Sequence, residues 1–362
     1  MMNNKIKIGI THGDINGVGY EIILKLLEDN RILELCTPVI YGSAKIANYY
    51  RKGMEMPQLP LNQISDASEA KDDANNIINV VGEGVRVEPG QSTEEGGRAA
   101  FAALSAAVDD LTAGRIDALV TAPIDKHNIQ SPEFHFPGHT EYLESRAGEG
   151  AHSLMVLFND RLRVALVTTH LPIAEIAHAI TTERIVEKLG IFSRSLEQDF
   201  SCTHPRIAVL ALNPHAGDGG VIGTEEAEII IPAIEQARAA GINCYGPYAA
   251  DGFFGAEQYR HFDGVLAMYH DQGLAPFKTI AMESGVNFTA GLPFVRTSPD
   301  HGTGYDIAGK GEASEESIRQ AVYAAIDIVR SRRNYAEAHR NPLRRQYFDK
   351  GKDNVVLDLT KE

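Results

Sequence analysis

Cysteine is scarce and scattered: Cys36, Cys202 and Cys244 are the only three in 362 residues. None belongs to a CxxC pair, which excludes a thiolate zinc knuckle, and an odd, sparse count suits a reducing compartment. Long apolar runs are missing too, so no segment approaches the roughly 20 residues that span a bilayer. Positive charge is in deficit, with 34 Lys and Arg against 49 Asp and Glu and a formal charge of -15. A surface of that sign does not suit nucleic acid or an anionic membrane as a partner. Low-complexity tracts and internal repeats are absent. The opening MMNNKIKIGI runs from a polar lead into an alternating strand, without the pattern of a secretion signal, so a cytoplasmic protein is expected.

What is present is an alternation of short Val-, Ile- and Leu-rich runs with longer helical patterns, in a chain long enough for two domains. Strands are expected at 6–10, 37–41, 117–121, 153–158, 163–168, 206–212 and 264–268. Helices are expected at 97–114, 181–198, 224–241 (with Thr224 as N-cap and Gly241 closing it) and 314–333. Continuous apolar strands between helices predict an α/β fold with a mostly parallel sheet. LFND followed by RLRV reads as a hairpin, which makes the sheet mixed. The polar stretch SDASEAKDDANN, 65–76, is expected to be a mobile surface excursion.

Ligands of such sheets gather outside the carboxyl ends of strands. Three runs end alike: VALVTTH at His170, VLALNPH at His215 and VLAMYH at His270. Three neutral imidazoles converging there would hold a divalent metal with open positions, with Asp271, Asn213 and Thr169 near enough in sequence to orient them. Each could equally be a hydrogen-bonded histidine at a strand terminus.

Other segments can handle anions. THGDINGVGYE (11–21) joins a strand to a helix, but its glycines are no dinucleotide fingerprint and a plain tight turn is the better reading. HAGDGGVIGTEE (215–226) would let His215 approach its neighbours. PGHTEYL places His139 and Thr140 at a helix start, where Thr140 either caps the helix or touches a ligand. Lys278, Asn287 and Arg296 lie in a low-periodicity stretch, FKTIAMESGVNFTAGLPFVRTSPDHGTG, read as a long functional loop.

Taken together, TAPIDK, GHTEYL, LNPHAGDGG, YHDQGLAPFK and GLPFVRTSPDHGTGYDIAGKG resemble the 4-hydroxythreonine-4-phosphate dehydrogenase family of vitamin B6 biosynthesis, from about residue 6 to about 330. DHGTGYDIAGKG is also similar to the HGSAPDIAGKG segment of isopropylmalate dehydrogenases, which holds the adenosine half of NAD. The resemblance implies an isopropylmalate-dehydrogenase-like, non-Rossmann α/β fold. Its two α/β/α subdomains would comprise residues 1–140 with 290–362, and 141–289 with the metal and dimer contacts, and the active site would lie in their cleft. It implies that His170, His215 and His270 bind a divalent metal (Zn, Mg or Co), with His270 serving the neighbouring subunit of a homodimer. His139, Thr140, Lys278, Asn287 and Arg296 would contact a small phosphorylated amino-acid substrate. His301, Gly302, Thr303 and Asp306 would line the site of NAD or NADP. The family usually shows GDPAGIGPE, TAPINK and HGTAFDIAG, so Ile15, Asn16, Tyr20, Asp125, Gly304 and Tyr305 are departures. None removes a metal or substrate residue.

The activity implied is oxidation of 4-phosphohydroxy-L-threonine at C3, then decarboxylation to 3-amino-2-oxopropyl phosphate. A dehydrogenase of 4-phosphorylated threonate or erythronate is the nearest alternative. Asp271 and Asp251 are both candidates for the proton acceptor. A metal-dependent hydrolase or lyase would have no use for the adenosine-holding segment, and a mere binding protein would leave Lys278, Asn287 and Arg296 unexplained.

Overall fold

The apolar runs are buried on both sides. The computed structural model describes residues 5–82, 84–281 and 284–341. Twelve strands of the described residues form one sheet: β1 (Ile6–Thr11), β2 (Cys36–Gly42), β3 (Leu61–Ile64), β4 (Asn75–Asn79), β5 (Ala118–Thr121), β6 (Leu154–Phe158), β7 (Arg163–Leu166), β8 (Ile207–Leu210), β9 (Cys244–Tyr248), β10 (Gly264–Ala267), β11 (Val286–Ala290) and β12 (Val295–Pro299). The spatial order is β3-β4-β2-β1-β5-β12-β11-β6-β7-β10-β8-β9.

Along β2, Ile40 joins one core cluster while Val39 and Tyr41 join another, and Val120 and Leu119 of β5 divide in the same way. One face of the sheet is a single core shared by both halves, from Ile10 and Val120 to Ala165 and Leu266. It is covered by the helices Gly19–Glu28, Thr182–Gln198 and Glu316–Ala338. The opposite face carries two separate cores, one under the Glu94–Thr112 helix and one under His270–Ala281. Each fully buried Leu or Ile contributes about 1.5–3 kcal/mol, so these faces supply the bulk of the folding drive. The result is α/β/α layering repeated in two halves of one sheet.

Parallel pairing runs from β3 to β12 and again from β7 to β9. Between them β12–β11, β11–β6 and β6–β7 are antiparallel, so the two parallel blocks point in opposite directions. The expected hairpin is β6–β7, and its turn is fixed by Asn159, whose Oδ1 accepts from the Arg161 and Leu162 amides. Residues 141–289 contribute β6 to β10 and nearly all of β11. Of the proposed first subdomain, residues 342–362 lie outside the described residues.

Three expectations change. The stretch read as a long loop holds the end of the His270–Ala281 helix and both β11 and β12, two central strands. Residues 65–76 are no free excursion: they contain a 3-10 turn, Ala67–Glu69, and enter β4 at Asn75. There Asn76 is fully buried and its amide donates to the carbonyls of Pro38, Lys71 and Ala74. Thr224 caps nothing with its side chain; a π-helical turn, Glu226–Ile230, leads into Ile231–Ala239 instead.

The turn after β1 is the tight one anticipated. Gly13 has φ 69, and a Cβ on Gly19 would sit 1.9 Å from the His12 carbonyl oxygen, so only glycine fits where this helix meets the strand. His12 is fully buried and stacks on Tyr20 with centroids 5.0 Å apart. Neither of its ring nitrogens finds a partner of normal geometry. With only a marginal contact to the Gly13 backbone opposing it, burial lowers the His12 pKa from 6.5 to about 4. The unfolded chain therefore binds a proton that the folded chain refuses, and stability is lost as pH falls from 6.5 towards 4. Replacing His12 by Phe should remove about 2–3 kcal/mol of the difference in unfolding free energy between pH 7 and 4.5. Urea unfolding at the two pH values measures it, and an unchanged difference would show that His12 does not titrate this way.

Candidate active site

Arg296 stands on β12 opposite Leu119 of β5 and is only 3% exposed. Its Nε and Nη2 donate to Thr121 Oγ1 at 3.1 and 2.6 Å, and Nη1 donates to Thr289 Oγ1 at 3.2 Å. Both threonines are buried in adjoining strands. Guanidinium carries five N–H donors, so two remain. Among the described residues no carboxylate forms an ion pair with it. Burial lowers its pKa to about 10, opposed by the charge of Glu141, and it stays protonated at neutral pH. A buried cation satisfied only by hydroxyls is expensive unless an anion joins it.

Unpartnered polar atoms lie in the same segments. His139 opens the His139–Arg146 helix; the residue is half-buried, but its Nε2 is shut off from solvent and has no partner. Burial, reinforced by the charges of Arg296 and Lys126, drives the His139 pKa well below the ordinary value, leaving a neutral imidazole. Asn287 Oδ1 on β11 and Glu141 Oε2 are likewise buried without partners. Such orphans are what a polar ligand satisfies. The helix cap is Gly138, so Thr140 is not the N-cap; it lines a cavity of about 340 Å³ together with Glu141 and His170.

The carboxyl ends of the two strand blocks meet here. Lys126, beyond β5, places Nζ 3.2 Å from His170 Nε2, beyond β7. Lys278, eight residues into the His270–Ala281 helix, lies 3.6 Å from Asp300 Oδ1, just past β12. Burial raises the Asp300 carboxyl above its usual range, with Lys278 opposing.

His170 and His270 come together with ring centroids 5.9 Å apart. Lysine only donates, so it is the Nε2 lone pair of His170 that faces Lys126, and a metal there would take that lone pair in place of the contact. Asp271 Oδ1 lies 2.7 Å from His270 Nδ1, which fixes Nδ1 as the donor and leaves Nε2 free to ligate. Asp271 thus holds the His270 ring in one orientation. The donor chemistry fits a divalent metal. His215 stands apart: it is exposed, on a left-handed loop with φ 54, and makes no ring contact with the other two. Among the described residues no group of three or more His, Cys, Asp or Glu could hold a metal. Within one chain His270 lies beside His170, and His215 is the imidazole that stands apart. Asp251, on the helix Ala250–Gly255, is exposed and makes no hydrogen bond or ion pair with these groups.

His301 and Gly302 line a cavity of about 470 Å³ with Val18, Gly304, Ile307 and Ser317, a size within the range of small-molecule pockets. Thr303 enters only through its carbonyl, which accepts from Val18 N at 2.9 Å, and Asp306 is exposed. A larger hollow of about 890 Å³ lies elsewhere, between Phe158, Phe200 and Tyr323, and holds none of the predicted residues. Sequence reasoning passed over Lys126, Glu141, Thr121 and Asp300. The first three stand in or beside TAPIDK and GHTEYL, where a lysine and a glutamate inside otherwise apolar or turn-forming motifs were the available signal.

Replacing Arg296 with Met should leave the unfolding free energy within about 1 kcal/mol of wild type, or raise it, because a costly buried charge is removed. Inorganic phosphate should raise the melting temperature of the wild type and not of the variant. A variant that melts far below the wild type would make Arg296 a structural cation instead.

The family profile described as "Pyridoxal phosphate biosynthetic protein PdxA" matches residues 34–325. A 4-hydroxythreonine-4-phosphate dehydrogenase of Bacteroides thetaiotaomicron is 59% identical over 359 residues, covering 99% of this chain and 98% of its own. A crystal structure of the enzyme of that name from Klebsiella pneumoniae superposes with a TM-score of 0.80 at 34% identity, covering 91% of this chain and 99% of that one. A terephthalate 1,2-cis-dihydrodiol dehydrogenase from Burkholderia xenovorans LB400, at 24% identity and TM-score 0.60 over 89% of this chain and 98% of its own, shares the fold. The chain belongs to the PdxA family of pyridoxal phosphate biosynthetic proteins.

Proposed function

We propose that the protein is an oxidoreductase that converts 4-phosphohydroxy-L-threonine to 2-amino-3-oxo-4-phosphooxybutanoate, which decarboxylates to 3-amino-2-oxopropyl phosphate, in vitamin B6 biosynthesis. The observation that carries this reading is the buried Arg296, without an ion pair among the described residues, in a chain of this family that also brings His170 and His270 together. In this reading the site lies in the cleft between the two proposed subdomains.

Arg296 binds the substrate phosphate through its two spare N–H groups, and a planar donor pair suits phosphate oxygens better than an ammonium does. Lys278 adds charge, and Asn287 and Thr140 add neutral contacts. His139, neutral beside Arg296, can donate or accept without adding to the cost of burial. His170 and His270 would hold a divalent metal with His215 of a second copy of the chain. Bound there, the metal supplies Lewis acidity that lowers the pKa of the C3 hydroxyl. NAD or NADP held along His301, Gly302, Thr303 and Asp306 would supply the acceptor for the hydride from C3, the hydroxyl proton leaving to give the C3 ketone. Loss of carbon dioxide from the β-keto acid leaves an enolate, which takes up a proton. Lys126 lies where a cation stabilises the enolate oxygen.

A homodimer completes the site. Leu171 and Ile173 beside His170, and Val221 and Ile222 beyond His215, are exposed apolar residues, with Ile173 and Val221 each 82% exposed. Exposed apolar surface next to an incomplete ligand set is what a second copy would cover. No helix among the described residues is long and apolar enough to cross a membrane.

One experiment tests substrate and assembly together. The full-length protein with divalent metal and NAD+ should form NADH with 4-phosphohydroxy-L-threonine, and more slowly with 4-phosphothreonate. His170→Ala, His215→Ala and His270→Ala proteins should each be inactive. Mixing His170→Ala with His215→Ala should restore activity through hybrid dimers, whereas mixing His170→Ala with His270→Ala should not. Faster turnover of phosphothreonate moves the substrate within the family. Restoration only in the second mixture returns His270 to the cross-subunit role.

A further inference from the structure

Residues 301–311 are gripped almost entirely through their backbone. Glu21, fully buried, accepts from the amides of Gly309 and, at 3.0 Å, of Gly311. One helical turn on, Lys25 Nζ donates to the carbonyls of Gly311 at 2.8 Å and Ala313 at 2.5 Å. Val18 N donates to Thr303 O at 2.9 Å, and Gly304, at φ 59, leaves room that a Cβ would take within 2.9 Å of Val18 Cγ1. The helix Gly19–Glu28 thus presents a carboxylate and an ammonium to one loop, at the i,i+4 spacing that puts both on one face. The loop's side chains His301 and Ile307, with Ser314 and Ser317 beyond it, remain free to line the cavity.

The one side chain of the loop that ties it sideways is Tyr305. Its hydroxyl lies 2.9 Å from Asp14 Oδ2 and 3.2 Å from Asp125 Oδ2. Both carboxylates are held: Asp14 accepts from Asn128 Nδ2 at 2.7 Å and Asn16 N at 2.8 Å, and Asp125 accepts from Ser92 Oγ at 2.6 Å and His127 N at 2.8 Å. Asp125 immediately precedes Lys126, whose ammonium meets His170. The phenol therefore connects the loop at the cavity to the segment at the metal and substrate groups. Asp125 and Tyr305 are also two of the positions where this sequence departs from the usual family motifs, and the carboxylate and the hydroxyl that make the contact are the departing groups. An Asn–Phe pair could not form it.

We infer that Tyr305 and Glu21 are positioning residues for the nicotinamide cofactor, fastening residues 301–311 in the conformation that opens the cavity. The inference rests on reading that segment as the cofactor site. Neither residue needs to touch the cofactor. Both act by removing conformations of the loop that would have to be frozen out on binding, which is how preorganisation raises affinity.

The test is calorimetric titration of NAD+ and NADP+ into full-length wild type, Tyr305→Phe, Asp125→Asn, the double variant and Glu21→Gln, with steady-state kinetics on the same proteins. Tyr305→Phe should weaken cofactor binding and raise the cofactor KM roughly tenfold, while the KM for the phosphorylated substrate stays within about twofold. The double variant should be no worse than Tyr305→Phe, since both substitutions remove one shared contact. Glu21→Gln should have at least as large an effect; should it fold poorly, Tyr305→Phe carries the test alone. Wild-type affinity in Tyr305→Phe overturns the inference, as does an equal loss of substrate and cofactor with a lowered melting temperature, which would mark a merely structural contact. A wild type that binds neither dinucleotide overturns the cofactor reading itself, and the wild-type titration separates that failure from the first.

Discussion

The rest of the site is arranged around a buried guanidinium that makes no ion pair among the described residues. Arg296 is placed in the middle of a continuous sheet and held by the hydroxyls of Thr121 and Thr289. Three central strands, β5, β12 and β11, supply the residue and both partners, so its position is set by backbone pairing and not by a loop. Hydroxyls fix the geometry without cancelling the charge. A carboxylate in their place would stabilise the fold and destroy the anion site. Burial, reinforced by the charges of Arg296 and Lys126, keeps His139 neutral, and Asn287 Oδ1 and Glu141 Oε2 are buried without partners.

The antiparallel core of the sheet has a second consequence. Because β11, β6 and β7 reverse the strand direction, two parallel blocks with opposite sense are joined in one sheet, yet their carboxyl-end loops meet through Lys126 with His170 and Lys278 with Asp300. The cation-rich side comes mainly from one block and the imidazoles from the other. Oxidation at one carbon of a phosphorylated molecule needs both, held a few bonds apart. Among the described residues no third imidazole joins His170 and His270, and exposed apolar residues flank both His170 and His215.

Much of this was legible in the residues. Strands β1, β2, β5, β6, β7, β8 and β10 announce themselves as short apolar runs, and the hairpin by its Asn-Asp turn. The histidines at strand ends were visible as a repeated pattern. β11 and β12 were not legible, since VNFTA and VRTSP interrupt their apolar character with Asn287 and Arg296, the residues proposed here for the substrate. A strand that carries a binding residue inward loses the periodicity by which a strand is recognised. The capping role weighed for Thr140 failed because the cap falls two residues earlier, on Gly138. That His215 sits apart from the other two imidazoles follows from loop geometry, the left-handed path through His215, which single-residue patterns do not encode.

The most direct measurement is a crystal structure of the metal-loaded protein with 4-phosphohydroxy-L-threonine. The expected result is phosphate oxygens within hydrogen-bond reach of Arg296, and one metal held by His170 and His270 of one chain with His215 of another. A phosphate bound away from Arg296, or a metal held by all three imidazoles of a single chain, would contradict it.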